Sequence, residues 1–231
     1  MNTLTARRPI PAPPADGPLA RAGRAAIQRT VLFPLLGAVC DPQVTVATPA
    51  ELRPPLIVVA NHASDLDCPL LLLALPAPVR RDLAVAAAAD RFYRGRLVAT
   101  ALHLGLGTIP FDRGRGSAES LDVCASLLRS GTSVLVFPEG TRSRDGAMGL
   151  FRSGAARLSL ATGTPVLPAG IRGAHAALPP GARMPRRGQT SVHVGEPILP
   201  RPGEDVWVLT ARLEDAVRAL AGEPVRAGSV D

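Results

Sequence analysis

The sequence predicts an α/β fold, with a central, mostly parallel sheet flanked by helices and an amphipathic helix ahead of it. Three observations carry that expectation. From residue 43 onward, short strand-like runs alternate with longer helical patterns, the arrangement of a parallel sheet with crossover helices. Polar clusters directly follow several of the strand-like runs, as they do where loops leave the C-terminal edge of such a sheet. A chain of 231 residues with 46% apolar content is enough for one sizeable core.

Residues 1–17 are rich in Pro and Ala and read as a mobile tail. In residues 18–38, Leu19, Ala22, Ala26, Ile27, Val31 and Leu35 recur at helical spacing, with Arg21, Arg24, Gln28 and Arg29 between them. Such a basic amphipathic helix either lies at a membrane surface or packs on its own domain. Region 18–42 is therefore separated from a domain at 43–222, and residues 223–231 read as a second tail. Within the domain, strands are expected at 43–47, 56–60, 83–87, 133–137, 165–169 and 191–195. Helices are expected at 68–75, 92–103, 117–129, 152–162 and 205–221.

Composition narrows the function. The formal net charge is +7, and all 26 basic residues are Arg, so anionic partners are favoured. Nucleic acid is not expected among them. The Arg residues form no continuous stripe, and one Trp, one Tyr and five Phe make a poor stacking platform. Cys40, Cys68 and Cys124 are far apart and make neither a disulfide framework nor a metal pattern. His103, His175 and His193 sit in unrelated segments, so no metal site is expected. No signal peptide is visible and no apolar run reaches spanning length. The expected location is cytoplasmic, peripheral on the inner face of the cell membrane.

The strand-like run at 56–60 leads into Asn61-His62-Ala63-Ser64-Asp65-Leu66-Asp67. Ser64 and Asp67, with Pro69 just behind, resemble a helix N-terminus with a capping box. The same residues also suit catalysis. Neutral imidazole accepts a proton near pH 7, and a carboxylate on its other nitrogen would fix the tautomer. On one continuous helix, five residues would separate His62 and Asp67 by about 140°. They can meet only if His62 lies on the loop and Asp67 in the first turn. A second cluster, Pro138-Glu139-Gly140-Thr141-Arg142-Ser143, follows the run at 133–137. Gly140 permits a tight turn, neighbouring N–H groups can face an anion, and Arg142 can grip a phosphate bidentately. A surface turn with a Glu–Arg pair would look the same. A third cluster, Asp112 to Gly116, follows an apolar fragment that begins at Gly105. All three would open at one sheet edge.

In this order the clusters resemble the glycerolipid acyltransferases typified by bacterial 1-acylglycerol-3-phosphate acyltransferase. The stretch "NHASDLD" matches the NHxxxxD block, "TIPFDR" the block ending in Arg, "FPEGTRS" the EGTR block, and "GTPVLPAGIRG" with Pro168 the last. The resemblance covers roughly residues 53–199 and implies a glycerolphosphate acyltransferase-like fold. It implies acyl transfer from acyl-CoA or acyl carrier protein to a lysophospholipid acceptor, lysophosphatidic acid above all, at an anionic membrane surface. His62 is then the general base and Asp67 its orienting partner. Arg113, Glu139, Gly140, Thr141 and Arg142 would hold the substrate headgroup. No cofactor or metal is implied, because the thioester is itself a substrate. Pro110 and the Arg152–Ser153 pair depart from the family's usual residues.

Two other readings have their own marks. A serine hydrolase would use Ser64 or Ser143, but the chain lacks a G-x-S-x-G elbow. A non-catalytic basic module would bind anionic lipid with steep salt dependence.

Overall fold

The computed structural model describes residues 17–48, 52–88, 105–111, 117–182 and 184–223. Its centre is a seven-stranded sheet made of β1 (Pro42–Val46), β2 (Ile57–Ala60), β3 (Leu83–Ala88), β4 (Thr108–Phe111), β5 (Ser133–Val136), β6 (Val166–Arg172) and β7 (Thr190–Val194). The spatial order is β1-β7-β6-β2-β5-β3-β4. Every pairing is parallel except β6 with β7, which is antiparallel. The six expected strands are all present, and the apolar fragment before Asp112 supplies the edge strand β4.

Strands β2 and β5 are buried at every position, which is why they read as unbroken apolar runs. Successive residues point to opposite faces of a strand. Val58 and Ala60 therefore enter a core with Leu70, Leu71, Leu135 and Leu167. Ile57 and Val59 enter the other, with Leu128, Phe151, Leu158 and Leu213.

Among the described residues, the helices with full bounds are α1 (Pro18–Ile27), α2 (Phe33–Cys40), α3 (Asp67–Ala74), α4 (Ala77–Arg81), α5 (Ser117–Arg129), α6 (Gly154–Thr162), α7 (Ala174–Ala177) and α8 (Val206–Ala221). The helix expected at 92–103 lies outside the described residues. A π-helical turn, Gln28–Leu32, joins α1 to α2 just ahead of Pro34. Proline lacks the N–H and crowds the carbonyl four residues back, so a widened turn there has a cause. Helix α8 begins where Asp205 accepts N–H bonds from Trp207 and Val208, and it ends at the left-handed Gly222. It crosses β6 at Gly170, where a Cβ would stand 2.2 Å from the Ala221 nitrogen. Only glycine fits there.

The N-terminal helix is amphipathic in the expected register, but its apolar stripe faces outward. Leu19 is 89% exposed, and Ile27, Val31 and Leu35 are exposed with it. The inward residues are Leu36 and Cys40 together with two polar ones, Arg24 and Gln28. Gln28 donates to the Gly105 carbonyl at 3.0 Å, and Arg24 lies beside Gly107. No helix among the described residues is long and apolar enough to cross a membrane.

Candidate active site

The C-terminal ends of β2, β5, β3 and β4 point the same way, because their pairings are parallel. Two of the three sequence clusters therefore meet at one sheet edge. The third, including Arg113, lies outside the described residues.

His62 sits on the loop after β2, and Asp67 is the first residue of α3. This is the one geometry that lets the two meet, and they do. His62 Nδ1 lies 2.8 Å from Asp67 Oδ2. The same oxygen accepts the N–H groups of Ala63 at 2.7 Å and Ser64 at 2.8 Å. Asp67 is 1% exposed, so it is held as a fixed charge rather than a mobile surface group. The capping box forms only in part. Ser64 Oγ accepts from the Leu66 N–H rather than from Asp67, and donates to the Leu178 carbonyl at 2.7 Å. With its hydroxyl so engaged, Ser64 is a loop brace. Asn61, not singled out from the sequence, braces the loop from the other side. Its amide exchanges two hydrogen bonds with the Ile171 backbone on β6, at 2.9 and 2.8 Å.

The imidazole stacks on Phe137, with ring centroids 4.0 Å apart. Nδ1 is taken by Asp67, leaving Nε2 as the nitrogen available to a substrate. His62 lines a cavity of about 630 Å³. Its lining includes the apolar side chains of Val85, Leu106, Phe111, Leu121, Val136 and Leu158. It also includes four arginines, Arg142, Arg144, Arg152 and Arg157. The last three are not among the expected site residues. Their signal in the sequence is a run of Arg through and just past the EGTR stretch.

Gly140 and Thr141 also line the cavity. Gly140 takes a left-handed φ of 73° in the tight turn. Arg142 Nη1 bonds Asp65 Oδ2 at 2.6 Å, tying the two loops together. Glu139 lies underneath, buried. Its Oε1 accepts the His62 N–H at 2.6 Å and its Oε2 accepts the Gly149 N–H at 2.8 Å. Burial pushes the Glu139 carboxyl above its ordinary value, against the opposing pull of those two N–H groups. The His62 carbonyl in turn accepts the Ser143 N–H at 2.7 Å. Both backbone polar groups of His62 are thus held by the β5 loop. Cys68 lines the cavity as well. Burial first, and the Asp67 charge second, push its thiol up to about 12, so it supplies no thiolate nucleophile near neutral pH.

Residues 43–172, more than half of the chain, match the family model described as Acyltransferase. Over 96 residues the chain is 36% identical to the chloroplastic 1-acyl-sn-glycerol-3-phosphate acyltransferase BAT2 of Brassica napus, covering 40% of this chain and 28% of that protein. Over 121 residues it is 36% identical to 1-acyl-sn-glycerol-3-phosphate acyltransferase alpha of Homo sapiens, covering 49% of this chain and 39% of the human protein. The chain thus matches well under half of the length of either relative. The crystal structure of the 1-acyl-sn-glycerophosphate (LPA) acyltransferase PlsC from Thermotoga maritima shares the fold. Its TM-score is 0.66 at 24% identity, over 86% of this chain and 82% of that one. The family match spans the loops that hold His62, Asp67, Glu139 and Arg142 in one place, and the chain belongs to the acyltransferase family.

Proposed function

We infer that the protein moves a fatty acyl group from acyl-CoA or acyl carrier protein to the free hydroxyl of lysophosphatidic acid, forming phosphatidic acid for phospholipid biosynthesis. The observation that carries this reading is the His62–Asp67 pair, closed at Nδ1 and open at Nε2, on a cavity lined by both apolar side chains and arginines. In the proposed step Nε2 takes the hydroxyl proton while the oxygen attacks the thioester carbonyl carbon. Asp67 stabilises the imidazolium that forms. The tetrahedral intermediate collapses with rupture of the C–S bond, and the imidazolium proton goes to the departing thiolate. The products are the ester and the free thiol.

The apolar lining residues suit an acyl chain, and the arginines suit a phosphate. Direct transfer of this kind needs no metal, no bound cofactor and no serine or cysteine nucleophile. The outward apolar face of α1 and α2, flanked by the exposed Arg21 and Arg29, suits the headgroup region of an anionic membrane. The protein would then work peripherally on the inner face of the cell membrane. The similarity of the relatives named for lysophosphatidic acid acylation supports the acceptor.

The test is thiol release from palmitoyl-CoA with and without lysophosphatidic acid, for wild type and His62→Ala. Release that requires the acceptor and falls by about 10²-fold or more in the variant is expected for loss of a general base. Acceptor-independent release would replace the reading with thioester hydrolysis. No release across CoA and carrier-protein donors with a panel of lysolipids would leave a non-catalytic lipid-binding module.

A further inference from the structure

We propose that the C-terminal helix α8, beyond the matched family region, is a positioning element for the reaction. Through Glu214 and Arg218, and with Glu223 just past its Gly222 cap, it holds the strap at residues 148–151, which fixes Glu139 and, through Glu139, the backbone of His62.

The strap runs without regular secondary structure between the β5 loop and α6, so its backbone needs partners from outside. Three carboxylates supply them. Glu223 accepts the Met148 N–H at 2.9 Å, Glu139 the Gly149 N–H at 2.8 Å, and Glu214 the Phe151 N–H at 2.8 Å. Arg218 closes the cluster. Its Nη2 reaches Glu214 Oε1 at 3.0 Å and the Met148 carbonyl at 3.3 Å, and its Nη1 lies 3.6 Å from Glu223. The peptides around Gly149 are therefore gripped by α8 on one side while Gly149 donates to Glu139 on the other. From Glu139 the next bond is the 2.6 Å one to the His62 N–H.

Docking α8 does not require this cluster. Leu209, Leu213 and Val217 already bury one face of the helix, and Gly170 lets it lie close on β6. Removing Glu214 and Arg218 from water is costly, and apolar residues of similar size often stabilise as well or better. Charges retained at that cost, each spent on the strap, point to fixed geometry rather than added stability.

The inference rests on His62 being the base, and the experiment keeps the two apart. In Arg218→Met and the milder Glu223→Gln, kcat for acyl transfer should fall, by about 10-fold to 100-fold for the former. KM for donor and acceptor should stay within about twofold, and Arg218→Lys should recover part of the rate. Gly149→Ala approaches from the opposite side, since its Cβ would stand 3.1 Å from Glu139 Oε2. It should lower kcat alone with α8 untouched. Combined with Arg218→Met its effect should be less than additive, because both act through one carboxylate.

In protein labelled with ¹⁵N at histidine, the His62 amide, assigned by its loss in His62→Ala, should move in all these variants except Arg218→Lys, where it should move least. Folded α8 variants with an unmoved His62 amide and unchanged kcat would overturn the proposal. So would losses that appear in KM, or strict additivity. If Arg218→Met does not fold, Glu223→Gln decides the α8 side by itself. A wild type without transferase activity would defeat the proposed function and leave the amide shift as the test of the clamp.

Discussion

The loops after β2 and β5 and the helix pair α1–α2 both bury polar side chains, to opposite effect. At the sheet edge, Asp67 and Glu139 sit inside with backbone N–H groups on their oxygens, above strands that are buried throughout. In the N-terminal helix, Arg24 and Gln28 turn inward while Leu19, Ile27, Val31 and Leu35 face out. The first arrangement accepts desolvation in order to hold a geometry. The second leaves outside the very area whose burial stabilises a water-soluble fold by about 25 cal/mol per Å². Polar burial at the edge fixes the loops that carry the proposed base. At the helix it leaves an apolar stripe on the outer surface.

The most damaging single change to this contrast is at Asp67. In Asp67→Asn the amide oxygen can still accept from Ala63, Ser64 and His62. The amide nitrogen would then take the place of Oδ1, which is buried and has no hydrogen-bond partner. The charge that holds the imidazolium would be gone, so transfer should fall by about 10²-fold to 10⁴-fold. Steady-state kinetics on folded protein checks it. Retention of most of the rate would mean that Asp67 serves only to cap α3, and the catalytic side of the comparison would collapse.

The helix side is broken by Val31→Gln with Leu35→Gln. Both positions are exposed, so the unfolding midpoint should hardly change. Partition onto anionic vesicles, measured by co-sedimentation, should drop by about tenfold or more, because each side chain contributes of the order of 1 kcal/mol or more when its apolar surface leaves water. Unchanged binding would detach the outward stripe from any lipid role.

What the sequence made legible follows from the same contrast. Strands β2 and β5 announce themselves because residues buried on both faces give an apolar run with polar residues only at its end. Helix geometry allowed His62 and Asp67 to meet at a loop-to-helix junction but left a helix cap equally open, and the resemblance of "NHASDLD" to the NHxxxxD block is what singled the pair out. The direction of the α1–α2 stripe was not. Periodicity defines a face but carries no information about what lies against it, and here the domain takes Arg24 and Gln28. The double role of Glu139 was hidden because its partner His62 is 77 residues away and comes near only when β2 and β5 pair. Glu214 and Arg218 stand four residues apart, a spacing that in sequence is indistinguishable from a solvated surface ion pair. Only the packing of α8 over the strap buries them. Glu223, expected in a tail, is bonded into the domain for the same reason.

The smallest effect sharpens the catalytic side by asking what holding the loop costs Glu139. Burial raises its carboxyl above the ordinary value of 4.5, against the N–H groups of Gly149 and His62, which favour ionisation. A raised carboxyl binds its proton more tightly in the folded chain than in the unfolded one. Between the ordinary and the raised value the folded state therefore carries the extra proton, and stability falls as pH rises. The contribution is complete below the ordinary value and lost as pH climbs through the raised one. Glu139→Gln abolishes this titration, though its amide has only one acceptor oxygen for two N–H groups. The difference in unfolding free energy, wild type minus variant, should decline as pH rises from the ordinary carboxylate value through the raised one and then level off. Urea unfolding at a series of pH values measures it, and carboxylates remote from Glu139 cancel in the difference. A difference that grows with pH would mean that the two N–H bonds outweigh burial. Glu139 would then be a stabilising anion rather than a group held in place at a cost.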